Sequence, residues 1–160
     1  KLVFGASTAA NAAVLAVYGT RKYIQQAKVA EARNTLGVIS RAARISYEEE
    51  QPDGGHRLCR SASQPVPASA SMIRGKKYMS TSSDWARDRA KDAGFACLKV
   101  ELAMPQYFQY EYEATATTFV ARAHGDLNGD GVLSTFEIRG EVVGGAVVVA
   151  PNIREVDPAE

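Results

Sequence analysis

The chain of 160 residues has few histidines and cysteines, two residue types that many catalytic and metal sites use. It contains two histidines, His56 and His124, and two cysteines, Cys59 and Cys97. The cysteines lack zinc-site spacing and are too few for a disulfide scaffold. His56 and Cys59 lie close together in a loop-like stretch, a poor arrangement for an activated thiol. No nucleophile motif, paired acid site or nucleotide fingerprint stands out, so we assign no catalytic residue and expect no enzymatic activity.

The chain also lacks an excess of charge of either sign. Its formal net charge is +1, which gives no bulk electrostatic attraction to nucleic acid, and we expect no such partner. Hydrophobic residues make up 46% of the chain and charged residues 23%, as in an ordinary folded protein, which argues against disorder.

A strongly hydrophobic run is missing as well. Residues 2–19 contain no charge, but Ser7, Thr8, Asn11 and many alanines make them a far poorer membrane span than a leucine-rich segment. No cleavable signal peptide is visible. Two interpretations of this stretch stay open: an apolar helix that packs on protein, and a membrane anchor.

The segment Val14–Tyr47 contains no proline and predicts one α-helix. Apolar residues recur at alternating spacings of three and four, which places them on one helical face: Val29, Ala32, Leu36, Ile39 and Ala43. Three glutamates and Pro52 predict an end near Tyr47 to Glu50. Together with the uncharged front, the helix would be roughly 70 Å long, too long for a small domain to bury. We therefore expect its front half to belong in a membrane, a partner or an assembly.

The rest of the chain predicts a small head with β structure. Residues 56–83 are loop-like with a helical turn at Ala68–Ile73, and a helix is predicted at Asp84–Ala93. From Phe95 onward, segments rich in aromatic and β-branched residues predict strands at 95–102, 106–114, 117–125, 136–143 and 145–150. The expected fold class is α+β, with a long N-terminal α-helix (residues 1–50) packed on a C-terminal antiparallel β-meander within a head (residues 51–160).

The segment Asp126–Glu137 matches the twelve-residue calcium loop, with glycine at position 6 where the turn needs positive φ. The predicted ligands are Asp126, Asn128, Asp130, Val132, Ser134 and Glu137. Val132 would bind through its backbone carbonyl. Strand-like flanks argue against a sensor with opening helices. The alternative is an acidic β-turn without metal, because Asn-Gly and Asp-Gly are turn pairs in their own right.

Cys59 and Cys97 suit one bridge in an oxidising compartment, which would pin the long loop to the first predicted strand. The alternative is a pair of buried thiols.

Several stretches together resemble type IV pilins. VLAVYGTRKYIQQAKVAEARNTLGVISRAARISYEEE is similar to the pilin helix where it leaves its membrane-like half. GKKYMSTSSDW, DAGFACLKVELAMPQYFQYEY, ARAHGDLNGDGVLSTFEIRGEVVGG and the ending PNIREVDPAE resemble fimbrial proteins of the myxobacterial type. The start, KLVFG, departs from the usual pilin start, so neither leader cleavage nor the glutamate-dependent docking of pilins is assigned to a residue here.

The resemblance implies a non-enzymatic filament subunit whose helix packs with copies of itself or related pilins, extracellular once assembled and in the inner membrane before. It also implies the associated properties of methylation, adhesion and motility. The expected assembly residues are Val14, Val17, Ile24, Val29 and Leu36. The alternatives are a pseudopilin of a type II secretion system and a secreted or surface calcium-dependent binding module.

Overall fold

A computed structural model describes residues 7–158, with side chains described from residue 13. Helix α1, Ser7–Glu48, is continuous over 42 residues. At 1.5 Å per residue it is about 63 Å long. It ends within the predicted interval, and Glu49 N–H still donates to the carbonyl of Ile45 at 3.1 Å. The prediction of one long helix is confirmed over the described range.

Short helical pieces fill the region between α1 and the sheet. They are a 3₁₀ turn at Ala70–Ile73, α2 at Ser82–Trp85, a 3₁₀ turn at Arg89–Lys91, and α3 at Gly94–Leu98. The first turn lies where the sequence predicted it.

The predicted helix Asp84–Ala93 is wrong, because it breaks after Trp85. A capping box formed by Thr81 and Asp84 starts α2. The Asp88 carboxylate accepts the N–H of Ser63 at 2.8 Å, a bond to another segment of the chain. Asp92 has φ 48°, which a continuing right-handed helix does not allow.

The predicted strand at residues 95–102 is also wrong, because its first half forms helix α3. Phe95 and Leu98 are both buried, and their spacing places them on one helical side. Lys99 follows with φ 56° and ends the helix. Gly94 permits the close approach to Ala62, since a Cβ there would lie 2.8 Å from the Ala62 Cα.

The sheet is an antiparallel meander, as predicted. Its strands are β1 Phe108–Ala114, β2 Thr118–Gly125, β3 Ser134–Val143, β4 Ala146–Val149 and β5 Arg154–Val156. The order is β1-β2-β3-β4, and β5 pairs with β3. The long strand β3 thus has β4 beside its second half and β5 beside its first. The sequence analysis predicted no strand in the β5 segment.

The core lies between the rear half of α1 and one face of the sheet. The five apolar helix residues of the predicted face are all buried. They meet strand residues from β1, β2 and β3 that are fully or almost fully buried: Phe108, Tyr110, Tyr112, Phe119, Ala121, Ala123 and Phe136. The Phe108 and Phe136 rings meet edge to face at 5.6 Å. The fold class, a long helix on an antiparallel sheet, is therefore present.

Polar contacts fix how α1 lies on the head. Arg33 donates two hydrogen bonds to Glu155 in β5, at 2.7 and 3.0 Å. Glu31 accepts the backbone N–H of Tyr107 at 3.0 Å and the hydroxyl of Tyr110 at 3.0 Å. Contacts to two distant segments hold the helix in one rotation about its own axis.

Candidate functional site

The helix front, defined here as residues 13–24, is the largest exposed apolar element among the described residues. Every side chain from Ala13 to Ile24 is exposed. Six large hydrophobic or aromatic residues lie within it: Val14, Leu15, Val17, Tyr18, Tyr23 and Ile24. Their exposed fractions run from 48% to 74%. Exposed apolar patches of this kind mark interaction sites on soluble proteins.

The five predicted assembly residues divide into two groups. Val14, Val17 and Ile24 are exposed in the helix front, where an assembly could reach them. Val29 is 6% exposed and Leu36 is fully buried against the sheet. The periodicity of apolar residues cannot separate these groups, because it marks a packing face without showing which protein covers it. Val29 and Leu36 belong to the hydrophobic core of this chain.

None of the helices described here has a stretch long and apolar enough to cross a membrane.

The loop between β2 and β3 contains the calcium-type motif. Asp126 is buried, and its two carboxylate oxygens accept the N–H groups of Gly129 at 2.7 Å and Gly131 at 3.0 Å. Asn128 accepts the N–H of Asp130 at 2.9 Å, and Asp130 accepts that of Val132 at 2.7 Å. These side chains curl the loop back on its own backbone, as Asx turns do.

Four of the six predicted ligands, Asp126 to Val132, thus lie within one tight loop and offer the hard oxygens that calcium prefers. Ser134 is fully buried and its hydroxyl donates to the carbonyl of Gly125 at 3.2 Å. Within residues 7–158, no cluster of three or more His, Cys, Asp or Glu side chains could hold a metal ion. The structure therefore brings four predicted ligands together and gives the other two different partners.

Glu137 belongs to an ionic network on the outer face of the sheet. Its carboxylate accepts hydrogen bonds from Arg122 at 2.8 Å and Arg139 at 2.7 Å. Burial raises the pKa of Glu137, but the bonds from the two arginines outweigh burial and hold the pKa below its ordinary value. Arg122 also contacts Glu113 at 2.6 Å and Glu111 at 3.6 Å.

Arg74 is a residue of the loop site that the sequence did not indicate. Its guanidinium donates to the carbonyl of Gly129 at 3.1 Å and lies 3.8 Å from the Asp126 carboxylate. The next residue, Gly75, donates its N–H to the carbonyl of Asp126 at 2.8 Å. A positive charge from a distant segment therefore offsets part of the negative charge of the loop.

Glu31 is the second residue that sequence patterns did not single out. It lies among charged and small helix residues, and only the fold brings Tyr107 and Tyr110 to it. Burial raises the pKa of the Glu31 carboxyl, although the bonds from Tyr107 and Tyr110 oppose that effect. Lys28 and Lys77 lie over the Tyr107 ring, 4.7 and 5.0 Å from its centre.

The predicted disulfide is confirmed, with Cys59 and Cys97 joined and their Cα atoms 5.8 Å apart. It pins the loop to helix α3, because Cys97 lies in that helix and not in a strand as predicted.

Comparisons with family models, with curated proteins and with solved structures give no match to this chain.

Proposed function

We propose that the chain is a structural subunit of an extracellular pilus-like filament, assembled from copies of itself through the helix front. The observation that supports this proposal is the exposure of every described side chain from Ala13 to Ile24, in a helix whose rear half is buried. Neighbouring copies would cover that apolar surface and remove it from water. The head, with its disulfide and sheet, would form the outer part of the filament.

The resemblance to type IV pilins supports the same proposal. It implies that the chain resides in the inner membrane before assembly. Adhesion, motility and secretion remain alternative uses of such a filament, and a secretion pseudopilin would share the helix. Comparing surface appendages and protein secretion in cells with and without the gene distinguishes these uses. Loss of secretion without loss of appendages would favour the pseudopilin.

Substituting the helix front tests assembly directly. In the full chain, Val14→Glu, Val17→Glu and Ile24→Glu together place three charges on the exposed face. We expect loss of filaments by electron microscopy and loss of fast-sedimenting species, because the charges cannot be buried between helices. The melting temperature of the head should change little, because these side chains lie outside its core.

The matched control places charges on exposed apolar residues of the head, with Met104→Glu and Val148→Glu. This variant should assemble like the wild type. A wild-type chain that stays monomeric at high concentration, both with and without detergent, would contradict the filament proposal.

A second candidate function is a calcium-dependent surface binding module, and the loop Asp126–Val132 favours it. Calcium would be held through Asp126, Asn128, Asp130 and the carbonyl of Val132, and it would stabilise the loop electrostatically. We expect the affinity of a single site of this kind to be weak, roughly 10⁻⁴ to 10⁻³ M. The Arg74 guanidinium lies next to the same carboxylate, so it should compete with the ion.

Thermal melts with millimolar calcium, millimolar magnesium and chelator test this candidate. Calcium should raise the melting temperature of the wild type, and more so in Arg74→Gln, which lacks the competing charge. Asp130→Asn, which alters an exposed ligand, should reduce the shift. Absence of a calcium-specific shift in both wild type and Arg74→Gln would exclude the site.

A further inference from the structure

The two edges of the sheet differ in how they are covered. Along β1, Ala62 N–H donates to the carbonyl of Tyr112 at 2.9 Å. Val66 and Tyr110 exchange two backbone hydrogen bonds, at 2.8 and 2.9 Å. Strand β4 forms the opposite edge, and within residues 7–158 no further strand lies on its outer side. An open edge leaves backbone donors and acceptors that another strand can use.

The hydrogen bonds between β3 and β4 show which backbone groups the open edge presents. Ala150 N–H donates to the carbonyl of Arg139 at 2.8 Å, so Ala150 bonds towards β3. Bonded and non-bonded residue pairs alternate along an antiparallel ladder. The N–H and C=O groups of Val147 and Val149 therefore point away from β3, towards the open edge.

The sequence of this edge is the same in both directions. Residues 146–150 read Ala-Val-Val-Val-Ala and lie between Gly145 and Pro151. Two copies in antiparallel order, centred on Val148, place each alanine beside an alanine and each valine beside a valine. This register places Val147 of one copy beside Val149 of the other, and these two residues have the outward backbone groups. The residue pattern and the hydrogen-bond pattern thus select the same register.

The edge strand also lacks the charges with which an open edge is usually protected. Val148 is 56% exposed and borders a groove of about 390 Å³ whose walls include Val120 and Val143. The charged residues at this groove, Arg139 and Glu141, belong to β3. Because a symmetric contact places identical groups together, an uncharged edge avoids repulsion and fits a second copy of itself.

The rest of the fold leaves room for such a pair. Helix α1 packs against β2, β3 and β4 on one face of the sheet. Pairing at the β4 edge makes one continuous sheet with both helices on the same face. Neighbouring strands lie about 4.8 Å apart, so the two β3 strands would be about 14 Å apart. Packed helices need only about 8–10 Å between their axes.

We propose that the β4 edges of two copies pair in antiparallel order and form a symmetric dimer through the heads. Val147 of each copy exchanges backbone hydrogen bonds with Val149 of the other, and the two Val148 side chains meet at the two-fold axis. The same patch serves both copies, so the contact closes on itself and stops at two chains. It does not use the helix front and therefore goes beyond the proposed filament function. The strand is short, so the association is weak.

Disulfide trapping tests the register in the full chain. The parent protein carries Val14→Glu, Val17→Glu and Ile24→Glu, so that contacts through the helix front do not contribute. Adding Val148→Cys should give one covalent dimer and no larger species on non-reducing gels after mild oxidation. The two Cα atoms at the axis would be about 4.5 Å apart, which a disulfide can span.

The matched control for trapping is Val143→Cys in the same parent. Val143 is 54% exposed, almost as much as Val148, but it lies on β3 and away from the proposed axis. It should give much less covalent dimer. Peptide mapping should show the native Cys59–Cys97 bond intact in both variants.

Charge at the axis provides a second measurement. In the same parent, Val148→Lys places two like charges opposite each other, and Val148→Glu does the same with the other sign. Each should raise the dissociation constant of the dimer about fivefold or more in sedimentation equilibrium. An equal mixture of the two variants should dimerise at least as well as the parent. The melting temperature of each head should change little, because Val148 is exposed.

The outcomes decide for or against the pairing. A single covalent dimer specific to Val148→Cys, together with restored dimerisation in the mixture, supports it. It is overturned if the parent stays monomeric up to millimolar concentration, or if Val148→Cys gives no more dimer than Val143→Cys. A mixture that dimerises no better than either charged variant alone also overturns it. The filament proposal depends on the helix front, so it stands or falls separately.

Discussion

Glu31 shows at the scale of one residue how a charged side chain can position a helix. Both carboxylate oxygens accept the Tyr107 N–H, at 3.0 and 3.2 Å, and one also accepts the Tyr110 hydroxyl. The tyrosine hydroxyl is buried beside this carboxylate, which raises the Tyr110 pKa well above its ordinary value. Burial removes the Glu31 carboxylate from water, which costs free energy. The hydrogen bonds offset part of that cost.

Replacing Glu31 separates hydrogen bonding from charge. Glu31→Ala should lower the free energy of unfolding by about 2 kcal/mol, because it leaves the Tyr107 N–H and the Tyr110 hydroxyl without their acceptor. Glu31→Gln should cost less, since its amide oxygen can still accept. Urea denaturation of the two variants measures the difference, and equal losses would show that the hydrogen bonds contribute little.

The raised pKa of Glu31 also gives a pH dependence with a definite sign. The folded state binds this proton more tightly than the unfolded chain, so its contribution to stability falls as pH rises through and above 4.5. Relative to Glu31→Gln, the wild type should lose stability over that interval. Denaturation at several pH values checks the trend, and a constant difference between the two proteins would contradict it.

Glu137 should behave in the opposite sense. Its pKa lies below the ordinary value of 4.5 because the two arginine bonds outweigh burial. The stability it contributes is therefore present above pH 4.5 and lost as pH falls through the lowered pKa. Acid unfolding should be less steep in Glu137→Gln than in the wild type. Equally steep acid unfolding in both proteins would show that Glu137 is not involved.

At the scale of elements, two glycines with opposite surroundings show what packing adds to backbone preference. A Cβ on Gly37 in helix α1 would meet nothing within 4 Å. A Cβ on Gly140 in strand β3 would lie 2.1 Å from the buried Phe119 ring. A side chain would therefore fit at position 37, whereas position 140 has no room for one.

Gly37→Ala should therefore raise the free energy of unfolding by up to about 1 kcal/mol, because alanine favours the helix. Gly140→Ala should lower it by about 1–3 kcal/mol, through overpacking against Phe119. Urea denaturation measures both, and each variant serves as the control for the other. A stabilised Gly140→Ala would show that the ring can move aside.

The disulfide joins two elements that the sequence places 38 residues apart. For a closed loop of this length, chain entropy predicts a stabilisation of about 4 kcal/mol. Cys59→Ala with Cys97→Ala should lower the melting temperature to that of the reduced wild type. Reductant should leave the double variant unchanged, and a wild type insensitive to full reduction would contradict the prediction.

At the scale of the whole molecule, one helix belongs to two environments. Its rear half completes the core of the head, while the helix front has no cover among the described residues. This division explains how a small head can include a helix of about 63 Å. The front is available to other copies because the head does not use it.

Protease sensitivity follows from this division. Arg21 and Lys22 are exposed in the helix front, so trypsin should cut there first in the monomer and leave the head folded. Assembly should protect both sites. The cleavage rate at the exposed Arg57 in the head serves as the internal reference. Equal rates at Arg21 in monomer and assembly would show that neighbouring copies do not cover this surface.

The sequence by itself determined the elements whose residues follow a regular period. Spacings of three and four predicted α1 and its buried face, because this pattern depends only on backbone geometry. It did not determine α3 or the break after Trp85. Those depend on Asp88 bonding to Ser63 and on Phe95 packing against Trp85, with ring centres 5.0 Å apart. Such contacts join segments that a local pattern cannot relate.

Some features of the candidate site were predicted from the sequence, and others appeared only in the tertiary structure. The loop motif was visible in the sequence, since residue types at fixed spacing define it. The bridge was one of two expectations for the two cysteines of the chain. Only the tertiary structure showed that Arg122 and Arg139 hold Glu137, and that Arg74 lies beside Asp126. Only the tertiary structure separated exposed Val17 from buried Val29, because burial depends on what the rest of the chain covers.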